Sequence, residues 1–467
     1  MPQEPLRPPV EIVGDLWASL GLPPEALAGL ALEGAEPVLP SSFRVDALAQ
    51  AAIAAAALAA AELHRRRSGT RQRVAVSLRH AAAEFRSERH LSVAGAPPAE
   101  LWDPLAGAYR TGDGRFVRIH TNFAHHRDGI LALLGCANER AAVAAALAGW
   151  TGEAFEAAAT EAGLVVALMR SFAEWDSHPQ GRAVAGLPLV ALEPIGAAPP
   201  EPLGPAARPL AGLRVLDITR ILAGPVCGRA LASHGADVLR VLGPGIPTID
   251  IADIDTGRGK RSAILDWSRD AAVMRELVRG ADVIVQSYRP GALARHGFGP
   301  AEAAALRPGI VYVSISAYGA AGPWAGRRGF DSLVQTACGL NHAEAEAAGA
   351  DQPKALPCQA LDHGSGFLMA FGAIAALLRR GEAGGSWHVR VSLDRTAHWL
   401  RGLGRLPDGL ARSDPGAADL DDLVESSPSG YGPLRAIRPA ARMSETPARL
   451  ALPSMPFGSH APVWLDR

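Results

Sequence analysis

Asp362 opens the run Asp362-His363-Gly364-Ser365-Gly366, and an aspartate so placed has two uses. It can be a nucleophile toward an activated carbonyl, or it can N-cap the helix predicted by the apolar run from Phe367 to Leu378. On residue types alone the cap is the stronger reading. A second cluster, Gly257-Arg258-Gly259-Lys260-Arg261-Ser262, invites comparison with a nucleotide-triphosphate loop. It lacks the spacing between glycines and has Arg where Ser or Thr should follow the lysine, so triphosphatase chemistry is not expected. Read plainly, its cations form a solvated basic face. His125 and His126 are adjacent, with no carboxylate at matching spacing, and read as loop or surface histidines rather than metal ligands. Cys136, Cys227, Cys338 and Cys358 are scattered without ligand or framework spacing, so neither zinc nor disulfides are read from them. No metal site is expected.

These residues must be positioned by elements, and the texture of the chain supplies them. From Leu213 onward, short apolar runs alternate with helical patterns: strands at Leu213–Ile218, Asp237–Leu242, Ser262–Asp266, Asp282–Gln286 and Ile310–Ile315, and helices at Pro225–His234 and Ala271–Arg279. That alternation predicts an α/β domain, a doubly wound parallel sheet of Rossmann-like kind, whose ligands bind beyond the carboxyl ends of the strands. Earlier in the chain, Tyr109–Ile119 reads as two strands joined by an Asp-Gly turn, followed by helical patterns to Glu174, a small α+β unit. Val45–Leu63, rich in alanine, reads as a buried helix, and its apolar stretch, Ala47–Ala61, is too short and too weakly apolar to span a bilayer. The expected organisation is a helical segment over 1–96, the small α+β domain over 97–193, a Pro/Ala/Gly linker over 194–212, the large domain over 213–400, and a loop-rich tail over 401–467.

Composition narrows the partners. Lys plus Arg number 46 against 47 Asp plus Glu, which argues against nucleic acid or an anionic membrane as the main partner. The proline-rich start, Met1–Val10, does not look like a signal peptide, so a reducing cytoplasm is the expected compartment. There is also an internal echo. Asp46, an Ala-rich helix, a basic end and Val74-Ala75-Val76-Ser77-Leu78 repeat the plan of Asp362, the helix Phe367–Arg380 and Val389-Arg390-Val391-Ser392-Leu393. One supersecondary unit is written twice.

Several motifs in a fixed order then carry a resemblance. Leu210-Ala211-Gly212-Leu213-Arg214-Val215-Leu216-Asp217, Ala223-Gly224-Pro225, Gly235-Ala236-Asp237-Val238, Gly259-Lys260-Arg261-Ser262, Tyr288-Arg289-Pro290-Gly291, Gly329-Phe330-Asp331 with Gln335, and Leu361-Asp362-His363-Gly364 resemble the family III CoA-transferases of the formyl-CoA and carnitine type. The resemblance implies that Asp362 attacks an acyl-CoA thioester, passing through a mixed anhydride to an aspartyl-CoA thioester that an acceptor acid then resolves. It implies His363 as a supporting residue, with Gly364 and Gly366 letting backbone approach the substrate and donate to an oxyanion. For CoA it implies Ile221, Leu222 and Ala223 near the pantetheine, Lys260 and Arg261 near the phosphates, Ser287 and Tyr288 near the adenine, and Arg295. CoA is then a substrate and no cofactor is permanently bound.

Departures accompany the match. Gln286-Ser287 replaces the family's usual Glu-Asn, and Phe330 stands where the racemase branch has a histidine, which makes racemisation the weaker reading. The small-domain-like part precedes the sheet domain, so the first half looks like the back end of one family copy and the second half like the front of another. Asp46 then reads as a relic, and an interlocked homodimer, usual in the family, stays open beside a monomer whose echoing helices pack together. An acyl-CoA isomerase, racemase or lyase, and a non-catalytic acyl-CoA-binding protein, are the alternatives to transfer.

Overall fold

The computed structural model describes residues 6–97, 100–267 and 269–466; Met1–Pro5 of the proline-rich start lie outside them. Its centre is a seven-stranded sheet of β1 (Ala191–Gly196), β2 (Arg214–Ile218), β3 (Asp237–Leu242), β4 (Arg261–Ile264), β5 (Val283–Gln286), β6 (Val311–Ser316) and β7 (Ser386–Ser392), in the order β4-β3-β2-β5-β6-β7-β1. All neighbours are parallel except the antiparallel edge pair β7 and β1. Successive side chains alternate between two cores: Val215, Val283, Val285, Val311 and Val313 face one, while Leu216, Ile218, Ile284 and Tyr312 face the other. A parallel sheet covered on both faces needs such continuous apolar strands. The expected α/β sheet is therefore present.

Four helices matter for the site: α1 (Val45–Ser68), α2 (Ala223–Ser233), α3 (Asp331–Ala337) and α4 (Ala360–Ala383). Helix α4 packs against both α1 and α2. Its glycines allow this. A Cβ on Gly364 would stand 2.8 Å from Leu48 Cδ2 of α1, one on Gly366 2.6 Å from the Ala223 carbonyl of α2, and one on Gly372 2.5 Å from Val389 of β7. At the far end Arg66 of α1 pairs with Glu382 of α4 at 2.6 Å. Leu48 to Arg66 and Gly364 to Glu382 cover the same number of residues, so the two helices run parallel and in register. Each is followed by a strand (Val74–Ser77; β7) and a helix (Leu78–Glu84; Leu393–Gly402), and the echo in the sequence is an echo in space.

Some expectations are corrected. The segment expected as a linker begins inside β1, which pairs with β7, and its remainder is held by Arg67, which donates to the carbonyls of Gly204, Pro209 and Ala211. The segment 1–96 is not only helical: Leu30–Glu33 and Val74–Ser77 pair in parallel. Nor is the tail loop alone, since Ala441–Met443 joins Val74–Ser77 in that small sheet and Leu434–Ile437 pairs with Ser92 and Val93. The strands Gly107–Arg110 and Phe116–Ile119 are antiparallel as expected, with a third, Val166–Leu168, that the sequence reading did not anticipate. Finally, α1 runs to Ser68, and both α1 and α4 are long and apolar enough to cross a membrane; both are core helices, their apolar windows 100% and 94% buried in the protein.

Candidate active site

Asp362 lies in the first turn of α4, yet it does not cap that helix. Asp331, at the start of α3, does so from outside: its Oδ2 accepts the Leu361 N–H at 2.8 Å and the Asp362 N–H at 2.9 Å. Gln335, one turn along α3, donates its amide to Asp331 Oδ1. The helix end is thus satisfied without the Asp362 side chain. Among the described residues that carboxyl has no hydrogen-bond partner, and it lines both an outer cleft and a smaller recess behind it. At 8% exposure it is nearly dry. Burial, then the charges of Asp331 and Glu88, hold its pKa well above the usual carboxylate range. Burial likewise raises Asp331, to about 6, against the pull of its N–H donors.

His363 points away from the cleft. Its Nε2 meets Glu88 Oε2 at 3.1 Å and its ring stacks on Phe85 with centroids 5.3 Å apart. Burial alone would raise Glu88, but the His363 bond, with the charges of His363 and Arg89, holds it ionised and below its usual value. His363 therefore acts on the site through Glu88, which lines the recess beside Asp362.

The outer cleft, of about 330 Å³, is walled by the turn after β2 (Arg220 to Gly224), the turn after β5 (Ser287 to Pro290), the carboxyl end of β6 and the loop before α3. This is the carboxyl edge of the sheet, where ligands of such folds bind. Ile221 has φ +76, a strained conformation for a β-branched residue, and such strain collects at functional sites. Ile221, Leu222, Ala223, Ser287, Tyr288 and Asp362, expected together, do share this cleft.

The profile of CoA-transferase family III matches residues 25–190 and 210–404, most of the chain. The chain belongs to CoA-transferase family III. Among its relatives are an acetyl-coenzyme A transferase of Hypoxylon pulicicidum, 36% identical over 236 residues (48% of this chain, 40% of that protein), and a probable fatty acyl-CoA transferase of Mycobacterium tuberculosis, 32% identical over 207 residues (41% and 52%). The succinate–glutarate CoA-transferase of Agrobacterium fabrum is 33% identical over 205 residues (40% and 51%). The chain spans about half the length of the curated relatives it matches. A crystal structure of Rv3272 from Mycobacterium tuberculosis matches 42% of this chain and 58% of that one, with a TM-score of 0.39 and 32% identity.

Within this family III chain, several sequence expectations fail for physical reasons. Lys260 is buried, donating to Asp217 Oδ2 and the Pro225 carbonyl, both at 2.7 Å, and so ties β4 to β2 and α2 rather than meeting a phosphate. Arg261 is engaged by Asp237 and the Val463 carbonyl. Arg295 stands exposed on the turn Ala294–His296, outside the residues lining the cleft. The cations that do line it are Arg220, Arg289 and Arg328, none of them in an ion pair among the described residues, together with Arg327, which pairs with Glu156. Gly364 and Gly366 serve helix packing, and their N–H groups lie inside α4, so they are not the oxyanion donors. His125 and His126 are not simply surface residues: both line the cleft, and burial, then the His125 charge, lowers His126 to about 4. Among the described residues no cluster of metal-ligating type occurs.

Proposed function

We propose that this family III chain moves CoA from an acyl-CoA thioester to a carboxylic acid, with Asp362 as the covalent relay. One observation carries the reading: a buried carboxyl, relieved of capping by Asp331 and left without a hydrogen bond, faces the cleft at the carboxyl edge of the sheet. The Asp362 carboxylate adds to the thioester carbonyl and expels CoA thiolate, leaving a mixed anhydride. The thiolate then attacks the aspartyl carbonyl, releasing the donor acid and forming aspartyl-CoA. An acceptor carboxylate opens that thioester to a second anhydride, and the thiolate takes the new acyl group and frees Asp362. Atoms balance without water, which suits a nearly dry nucleophile.

The N–H groups of Ala223 and Gly224, at the start of α2 and on the cleft wall, have no acceptor among the described residues and are the oxyanion donors in this scheme. Arg220, Arg289 and Arg328 take the phosphates, in place of Lys260 and Arg261. Ser287 and Tyr288 stand beside them for the base, and the reaction is placed in the cytoplasm.

The test is mass spectrometry of the quenched protein after incubation with acyl-CoA. A CoA adduct on the peptide carrying Asp362 is expected, lost in Asp362→Asn along with several orders of magnitude of transfer rate, and retained in Asp46→Asn. No adduct, or one elsewhere, overturns the assignment. Neutral His126 on the same cleft favours one other reading, an isomerase or racemase; it predicts solvent-deuterium uptake at the α-carbon without CoA transfer.

A further inference from the structure

Behind Asp362 the outer cleft narrows into a recess of about 50 Å³, a few times the roughly 10–15 Å³ of such space that holds one water. It admits a short chain, not a long one. Its apolar walls come from Trp102, Leu222, Ile249 and Phe330, and the His120 ring stacks on Phe330 with centroids 4.0 Å apart. Burial, then the His126 charge, lowers His120 to about 3, so that ring adds no positive charge.

What distinguishes the recess is its unused polar atoms. Among the described residues Ser332 Oγ, 3% exposed as a residue, makes no hydrogen bond, and Glu88 Oε1, on a residue 1% exposed, has none either, Arg89 Nε standing 3.5 Å from it. Nδ1 of the buried His120 ring, also on the wall, has no partner among the described residues. Buried polar groups are rarely left unmatched, and three on one small chamber mark the place of a ligand group that both donates and accepts. Glu88 is held ionised and only accepts, so the ligand must donate to it. The carboxyls of Asp331, Asp362 and Glu88 share the recess, and no arginine or lysine lines it. Arg118, whose guanidinium lies 5.3 Å from the Trp102 ring, is not among its residues. An acyl chain ending in a carboxylate would bring a negative charge beside ionised Glu88, with no arginine or lysine on the wall to pair with it.

We infer that this recess receives the acyl group of the thioester and selects a short acyl chain bearing a hydroxyl, turning away both the plain alkyl chain and the chain ending in a carboxylate. The inference rests on the proposed role of Asp362, which sets the thioester carbonyl at the mouth of the recess. Ser332 is a specificity residue in this scheme. Because its hydroxyl has no partner among the described residues, Ser332→Ala removes no bond seen there and the variant folds.

The experiment compares butyryl-CoA, each enantiomer of 3-hydroxybutyryl-CoA, and succinyl-CoA, which share a chain length. Affinity is measured calorimetrically on Asp362→Asn, and kcat/KM on the wild type. One hydroxybutyryl enantiomer is expected to bind roughly 10- to 100-fold more tightly than butyryl-CoA, with succinyl-CoA weakest. Adding Ser332→Ala should collapse that preference while leaving butyryl-CoA within about twofold, since a hydrogen bond to the hydroxyl is all that is removed. Equal or tighter binding of butyryl-CoA, succinyl-CoA as the best ligand, or an equal loss for all ligands on Ser332→Ala overturns the inference. Binding and chemistry fail separately: an intact preference with no adduct on Asp362 sinks the relay and spares the recess, whereas an adduct without the preference does the reverse. No binding of any thioester sinks both.

Discussion

At the residue scale the site is an arrangement of carboxyls with different duties. Asp331 accepts two backbone N–H groups and an amide, Glu88 accepts from His363, and Asp362 accepts from no group among the described residues. Burial penalises all three, but hydrogen bonds and charge compensate the first two, so the raised pKa falls most heavily on the carboxyl that must become a nucleophile. The sign of the consequence follows. Only the ionised form attacks, so kcat/KM falls as pH drops through the elevated pKa of Asp362, and the acid limb lies well above the ordinary carboxylate range. Asp331→Asn removes the neighbouring like charge while an oxygen remains for the Leu361 and Asp362 N–H groups. The limb should then move to lower pH, at some cost in stability from the amide left facing Gln335. A pH–rate profile checks this, and an unmoved limb would mean that Asp331 is structural only. The misreading of Lys260 belongs to this scale too. Gly-Lys-Arg looks like an anion loop locally, but the partner that claims the lysine, Asp217, stands 43 positions earlier and gives no local signal.

At the element scale, α4 is the part on which the site turns, because it carries Asp362 and touches three neighbours through glycines. Gly366 faces the Ala223 carbonyl and Val226 of α2, where a Cβ would come within 2.7 Å of both Cβ and Cγ1 of Val226, and backbone cannot swing aside. Gly364 faces the tip of Leu48, which can. Gly366→Ala should therefore push the start of α2, with Ile221 to Ala223, off the cleft, costing about 1–3 kcal/mol of stability and weakening CoA. Gly364→Ala should cost less and leave CoA affinity near normal. Thermal melts with CoA titrations decide, and equal effects would refute the packing account. Elements also show what the sequence could reveal. Strands β2, β3, β5 and β6 were legible as apolar runs between turns, and the echo as a repeated pattern. Strand β1 was not, because Pro194 reads as a linker residue; it is tolerated there because β1 is an edge strand, where a missing N–H is least costly. The residues 221–223 and 287–288 were legible as local motifs at strand ends, whereas Glu88, Trp102 and His120 reach the site from the other half of the chain, which no local pattern announces.

At the scale of the whole molecule, the two matched segments are halves of one structure rather than independent domains. The first half gives Glu88, Trp102, His120, His125 and His126 to clefts whose nucleophile and cations come from the second. The halves are joined through their cores: α1 lies along α4, Arg229 bonds both Ser87 and Asp255, and Glu344 accepts the Ser42 N–H at 3.1 Å. Asp46, the echo of Asp362, is turned inward to the Val38 and Leu39 N–H groups, and burial first among the causes raises it to about 7. It lines neither cleft. If the halves cohere through this shared core, the covalent connection between them is dispensable once folding is complete. The exposed segment at Gly204 and Pro205 is the place to cut, because a Cβ on Gly204 would meet nothing within 4 Å. A protease site inserted between Pro205 and Ala206 and cleaved in the folded full-length protein should leave two fragments that co-elute on size exclusion and separate only in denaturant. The cleaved protein should still bind CoA and form the Asp362 adduct, while its midpoint of unfolding becomes dependent on concentration, as for any two-chain assembly. Fragments that part under native conditions would show that the interface is too weak to stand without its tether, and that the halves are domains in the ordinary sense.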